Sequence, residues 1–160
     1  PAWGLSGAAA TLVGQNLGAQ KQRRAELAVW LTVRYNVIFM ASVTGIYLLF
    51  SKQLVGLFTD ILLVKDVAAQ GLWIISLGYV FFAIGMVLTQ AFNGAGDTKT
   101  PAWINALVLL GLEIPLAYLL AFPLGLSYVG IFFAIAFCHS LHALVSLYIF
   151  KKGKWKKNQV

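Results

Sequence analysis

The sequence is poor in charge, in acidic side chains and in cysteine. Only 11% of its 160 residues are charged, with 5 acidic side chains against 12 basic ones, whereas soluble globular chains are about 25% charged. Because so few charged groups cannot cover a water-facing shell, the composition excludes an ordinary soluble domain. The lone Cys138 excludes an intramolecular disulfide and a four-cysteine zinc site.

The basic residues are too unevenly placed for a nucleic-acid surface. The net charge is +7, but five of the twelve basic residues lie in the last ten positions. A nucleic-acid surface needs basic residues spread over one face. We therefore expect no nucleic-acid partner.

Apolar residues dominate instead, at 60% of the chain with a mean hydropathy of +0.82. A membrane-spanning helix needs roughly 20 apolar residues, and continuous runs of this kind lack the alternation of a β-barrel. The sequence therefore predicts an all-α, polytopic transmembrane helix bundle over residues 1–150 and a basic tail over 151–160. The predicted spans are about 2–18, 28–50, 68–92, 102–123 and 126–150. The loop at 51–67 is amphipathic, and we expect it to lie along the outer membrane interface as a short helix or to re-enter slightly.

Loop charges predict the orientation of these spans. The turns at 19–27 and 94–101 and the tail at 151–160 share one side and are rich in Lys and Arg. By the positive-inside rule they are cytoplasmic, which predicts a multi-pass protein of the inner (plasma) membrane with a cytoplasmic C-terminus. We interpret the Lys-rich tail as a topological anchor that contacts anionic lipid; the alternative is a specific protein partner.

The two ends of the sequence also allow predictions. No positively charged segment precedes the first apolar run, so no signal peptide is visible. We expect the chain to be a piece of a longer protein, with the basic tail as its natural C-terminus.

Small residues recur at helical spacing. Gly71, Gly78 and Gly85 are seven residues apart, which places them on one helix face, and Gly14 and Gly18 are four apart in the first span. Helices in lipid pack through such residues. We predict helix packing for them, with a sliding surface in a moving bundle as the alternative.

Glu113 is the outstanding polar residue. It lies twelve residues beyond Pro101, which is about 18 Å along a helix and near the middle of a hydrocarbon core of about 30 Å. A carboxylate there must be protonated, paired or bound to a cation. Pro115 removes a backbone donor and frees the Gly111 carbonyl beside it. We interpret Glu113 as a proton, cation or substrate group; the alternatives are a structural hydrogen bond to a neighbouring span and a side chain that reaches the membrane surface.

Side-chain amides form a second set of candidates. Those near span ends can cap exposed carbonyls and join neighbouring helices; the functional alternative is that they line a polar cavity. The candidates are Gln15, Asn16, Gln90, Asn93 and Asn105, with Asn36 as a weaker case.

Cys138, His139 and His142 lie close together on the last span. They are too few for a zinc site without a partner helix, so we predict packing or hydrogen bonding between helices, and no metal. The chain has no phosphate-binding glycine motif, nucleophile–base pair or carboxylate pair. We therefore predict a protein that is not an enzyme and needs no cofactor.

Two stretches resemble the signatures of the multidrug and toxic compound extrusion (MATE) transporters. They are ATLVGQNLGA at 10–19 and QAFNGAGDTKTP at 90–101, and IPLAY at 114–118 is similar to the family too. The resemblance implies that the five spans are the last five of twelve and belong to a six-helix C-terminal lobe. The implied partners are the lipid bilayer, the N-terminal lobe, one further helix of the same protein and small organic substrates.

The resemblance also implies a function. In the family, an inward flow of protons or sodium ions drives export of organic, often cationic, compounds by alternating access. One large branch places cation-binding carboxylates in the first and fourth helices of the C-terminal lobe. The matching fourth helix, 68–92, has no Asp or Glu, so that site is absent or relocated, and Glu113 is the acidic residue left at depth; coupling through an acidic residue of the N-terminal lobe is equally open.

Two other functions compete with export. A lipid-linked oligosaccharide flippase of the same superfamily is expected to carry more basic residues inside its spans, whereas here only Arg34 occurs, near one end. A non-transporting membrane scaffold subunit would use Glu113 only to pair helices.

Overall fold

The computed structural model describes residues 1–157, and within that range the chain is helical with no strand. This confirms the predicted all-α bundle; residues 158–160 of the basic tail lie outside the described range. A π-helical segment, Ala106–Glu113, joins two short helices into one continuous rod, and a 3₁₀ turn, Lys154–Lys157, follows the last helix. The helices are α1 Ala2–Gly18, α2 Gln22–Gly56, α3 Leu62–Ser76, α4 Tyr79–Gly94, α5 Lys99–Asn105, α6 Ile114–Ala121 and α7 Ser127–Lys151.

Three of these helical segments are long and apolar enough to cross a membrane: α2, the continuous segment Lys99–Ala121, and α7. The pair α3 and α4 would be a fourth span, but it is bent by 57°. Helix α1 has 17 residues, slightly fewer than the roughly 20 that a full crossing needs. The count of five spans therefore stays a prediction.

The predicted run at 68–92 is broken at Leu77 and Gly78 and begins earlier, at Leu62. The break is stabilised by neighbouring helices. Thr44 of α2 donates a hydrogen bond to the Ser76 carbonyl, at 3.0 Å, which satisfies a group that the interrupted helix leaves free. A Cβ at Gly78 would lie 3.2 Å from the Ala136 backbone of α7, so glycine lets the bend press against that helix.

The loop predicted at 51–67 is mostly helical. Helix α2 kinks at Phe50, where φ is −124° and ψ is 16°, and continues to Gly56; α3 then begins at Leu62. No proline interrupts this stretch, so the chain stays helical except for a five-residue turn. Whether this segment lies along the outer membrane interface or re-enters slightly stays a prediction.

The main core lies where α1, α2 and α4 meet. It is built from side chains of alanine, valine and leucine on the facing stripes of these helices, and Phe92 and Phe150 close it. The tail extends this core: Trp155 is 2% exposed, stacks on Phe150 with ring centroids 4.7 Å apart, and donates from Nε1 to the Phe150 carbonyl at 3.0 Å. Lys156 Nζ pairs with Glu26 Oε2 at 2.7 Å. The tail up to Trp155 is thus part of the fold, which composition alone did not reveal.

Helices α1 and α4 cross at close range. A Cβ at Gly94 would lie 2.6 Å from Ala10 Cα, and a Cβ at Gly14 would lie 3.2 Å from the Gly94 carbonyl oxygen. Such distances are possible only without side chains at the crossing, which confirms the packing predicted for Gly14. Gly18 has no atom within 4 Å of its Cβ direction, so the same prediction is wrong for that residue.

Gly94→Ala is expected to destabilise the bundle, because the added methyl group overlaps the Ala10 backbone. Overpacking of this kind costs about 1–3 kcal/mol, which thermal unfolding of the full-length protein in detergent micelles would measure. Gly45→Ala is the matched control, since its Cβ would meet nothing within 4 Å and alanine favours a helix by about 1 kcal/mol. Equal stability of the two variants would contradict the close crossing.

The three glycines at seven-residue spacing share one face, as predicted, and that face packs on α7. The added Cβ atoms at Gly71, Gly78 and Gly85 would meet Phe132, Ala136 and His142, respectively. For Gly85 the distance to His142 Nδ1 would be 2.8 Å. Glycine at this position therefore leaves room for an imidazole between α4 and α7.

Candidate functional site

Glu113 is the last residue of the π-helical segment. Pro115, two residues on, has no N–H to donate, so regular α-helical bonding cannot run through this point. The helix here contains eight residues of π-helix, a rare geometry that is frequent at functional sites, and the freed Gly111 carbonyl stays a prediction. The wider helical turn changes the direction in which the Glu113 side chain projects from the helix axis.

That side chain points toward α7. Glu113 Oε2 lies 3.6 Å from His139 Nδ1. Both atoms are buried and neither has a hydrogen-bond partner among the described residues, although the two side chains as a whole are only partly buried. Since buried polar atoms are almost always paired, this facing pair is the most unusual polar feature of the bundle.

His139 also faces a cavity. Its ring stacks on Phe82 of α4, with centroids 5.1 Å apart and planes 20° apart. The cavity, of about 220 Å³, has an apolar part made by two aromatic rings and two aliphatic side chains, and a polar part made by a hydroxyl, two amides and two imidazoles. These lining residues are Trp3, Phe82, Met86, Thr89, Gln90, Asn105, Leu109, His139 and His142.

The second histidine is held by an amide. His142 Nε2 donates to Asn105 Oδ1 at 2.8 Å, which joins α7 to the end of α5. Cys138 is buried in an apolar cluster with Ile104 and Val108. No three His, Cys, Asp or Glu side chains within residues 1–157 come together in a way that could hold a metal ion.

The predicted amides divide into two groups. Gln90 and Asn105 line the cavity. Asn16 instead donates to the Leu12 carbonyl one turn earlier in its own helix, at 2.7 Å, and Gln15 is exposed near the end of α1. Asn93 is exposed and donates to Gln90 Oε1 at 3.3 Å.

The weaker candidate, Asn36, is fully buried in α2. Its Nδ2 donates to the Ala83 carbonyl of α4 at 3.3 Å. This amide joins two helices and stands apart from the cavity.

The sequence reasoning missed the contact between Glu113 and His139, although it noticed both residues. The contact could have been predicted from the turn that joins α6 and α7. In an antiparallel helical hairpin, residues at similar distances from the turn lie at similar depth, because each helix rises about 1.5 Å per residue. Glu113 precedes Leu120 by seven residues, His139 follows Gly130 by nine, and Leu120 and Gly130 are in direct contact.

Comparison with known proteins adds a family and a fold. A family model described as MatE matches residues 1–119. A probable multidrug resistance protein NorM from Thermotoga maritima is 29% identical over 164 residues, which cover 100% of this chain and 34% of that protein. The human multidrug and toxin extrusion protein 1 is 27% identical over 155 residues, covering 96% of this chain and 27% of its own.

A solved structure has the same arrangement of helices. It is described as the inward-facing conformation of a multidrug resistance MATE family transporter of the MOP superfamily, and it matches with a TM-score of 0.85 at 19% identity over 97% of this chain and 36% of that one. At this identity the match shows the fold alone. The chain spans about a third of the length of the relatives it matches.

Proposed function

Because the chain belongs to the MatE family, we propose that it forms part of a secondary active exporter in a cell membrane. In this proposal an inward flow of protons or sodium ions drives export of small organic, often cationic, compounds by alternating access. Glu113 is the ion-coupling group, and the protein is not an enzyme. The membrane is the inner (plasma) membrane, with the C-terminus in the cytoplasm.

The observation that carries the proposal is the buried, unpaired Glu113 Oε2 opposite His139. An ionisable side chain at membrane depth is costly, and it typically marks an ion or substrate pathway. A carboxylate that served only to pair helices would accept a hydrogen bond of ordinary length from the neighbouring helix. Here Glu113 Oε2 faces His139 Nδ1 at 3.6 Å without such a bond, so the acceptor is available for an ion.

The cavity beside His139 supports a small organic substrate. Its lining combines aromatic and aliphatic surface with a few polar groups, which is the usual composition of a small-molecule site. Trp3 and Phe82 line the cavity, and aromatic rings attract organic cations. Gln90 and Asn105 supply polar contacts at the same wall.

Export requires more of the protein than this chain. The chain spans about a third of its relatives, and in the proposal an N-terminal lobe and one further helix of the same protein complete the cavity. The lipid bilayer covers the outer surface, where large apolar side chains such as Leu110 and Leu107 are more than half exposed.

The test uses the full-length protein reconstituted in lipid vesicles. An inward gradient of H⁺ or of Na⁺ is expected to accelerate export of an aromatic cation such as tetraphenylphosphonium, compared with vesicles without a gradient. Export that is insensitive to both gradients would overturn secondary active transport. Movement of a lipid-linked oligosaccharide instead would favour the flippase, and no movement of either compound would favour a scaffold.

A further inference from the structure

The contact between Glu113 and His139 contains information about which ion the site accepts. The two facing atoms are a carboxylate oxygen and an imidazole nitrogen, 3.6 Å apart. If a proton lies on His139 Nδ1, the ring donates toward the carboxylate; if it lies on the carboxyl group, Glu113 donates toward the ring. Without a proton between them, two acceptors face each other in a buried place, which is unfavourable.

The surroundings leave a charge at this pair almost uncompensated. The titratable groups near it are His142 and Cys138 of α7, together with Tyr79 of α4, Tyr47 of α2 and the Pro1 amino group, which line a second cavity with His139. Helices α1, α4 and α6 carry no Asp, Glu, Lys or Arg, and α7 has none before Lys151. Within the described residues the pair balances its own charge when one proton is shared by the carboxylate and the imidazole, which gives zero net charge.

The neighbour that faces Glu113 suits a proton better than a sodium ion. A hard cation binds through several oxygen atoms, whereas the group that faces the Glu113 carboxylate is an imidazole nitrogen. Asn105 Oδ1, a nearby side-chain oxygen, already accepts a hydrogen bond from His142. No cluster of three His, Cys, Asp or Glu exists in the described residues.

Resting on the proposed function, we propose that Glu113 and His139 together form the ion site of this exporter, and that this site accepts protons and not sodium ions. His139 is then an ion-binding residue in its own right. The proton that the site takes up from water lies between Glu113 Oε2 and His139 Nδ1, and its uptake changes the charge of the pair from −1 to zero. The His139 ring also stacks on Phe82 in the cavity wall. The protonation state of the pair therefore changes the electrostatic environment of a compound bound in the cavity.

The first experiment separates the two ions. In vesicles that contain the full-length protein, an inward pH gradient is expected to accelerate export of tetraphenylphosphonium, while a Na⁺ gradient at equal pH on both sides has no effect. Acceleration by the Na⁺ gradient alone would overturn the proton-selective site and leave the proposed exporter intact. A response to neither gradient would overturn the exporter itself.

The second experiment tests His139. His139→Gln keeps a hydrogen-bonding side chain of similar length but cannot carry a proton, and it is expected to reduce the pH-driven rate about tenfold or more, as for loss of a hydrogen bond to a charged group. Ser140→Ala is the matched control: Ser140 bonds only to the Ala136 carbonyl of its own helix, at 2.8 Å. The control should keep the wild-type rate.

An infrared measurement distinguishes this role from a structural one. The band of the protonated Glu113 carboxyl group is expected to change with pH in the wild-type protein and to shift in His139→Gln, while size-exclusion elution stays unchanged. A variant that folds, keeps the wild-type carboxyl band and keeps the full pH-driven rate would overturn the assignment of His139.

Discussion

Replacing Glu113 with Gln in the full-length protein is expected to abolish the acceleration of export by an ion gradient. The amide has the shape of the carboxyl group but takes up no proton at neutral pH and has no negative charge to attract a cation. The variant should therefore export an aromatic cation at the same slow rate with and without a gradient. The measurement is the initial rate of tetraphenylphosphonium movement in proteoliposomes at matched protein content.

Glu26→Gln is the control for this prediction. Glu26 is also acidic, but it lies near the start of α2 and pairs with Lys156. It is not one of the residues that line the cavity. It should keep the wild-type gradient response. If Glu113→Gln kept that response too, while the amount of folded protein fell, Glu113 would be a helix-pairing residue and not the ion-coupling group.

The second prediction with a large expected effect concerns the contribution of the tail to stability. Trp155→Ala is expected to lower the free energy of unfolding by about 3–5 kcal/mol, as for other large aromatic side chains removed from a core. The ring is 2% exposed, lies parallel to Phe150 within 18°, and bonds to the Phe150 carbonyl. Thermal unfolding of the full-length protein in detergent micelles would measure the loss.

Trp155→Phe separates packing from the hydrogen bond. Phenylalanine keeps a stacked ring but has no N–H, so this variant should lose only about 1 kcal/mol from the missing bond, plus a smaller packing defect. If Trp155→Ala were as stable as the wild type, the tail would be a solvated anchor, as its five lysines suggested.

The sequence predicted the helical class because composition and long apolar runs leave few alternatives. It also placed Glu113 in a helix and Gly71, Gly78 and Gly85 on one face, since both follow from counting residues along a helix. It did not predict the bend at Leu77. A local glycine is compatible with either a straight or a broken helix, and the choice depends on Thr44 and Ala136 of other helices.

Only part of the site could be predicted from the sequence, again because its geometry depends on more than the local sequence. Depth along a helix can be counted, but the direction of a side chain depends on how the backbone winds. The eight residues of π-helix that end at Glu113 carry no distinct sequence pattern apart from the nearby Pro115. The burial of Trp155 was likewise hidden, because a lysine-rich segment contains one aromatic residue whose partner, Phe150, lies at the other side of a turn.

The π-helical segment has a consequence for comparing this protein with its relatives. In an α-helix each residue advances the chain by about 100° around the axis, so adding or removing one residue between Asn105 and Glu113 would swing the carboxylate away from His139. The number of residues in this stretch is therefore as important as the acid itself. A relative with an acidic residue in the corresponding column of an alignment presents it to the same neighbour only if its backbone winds in the same wide turn.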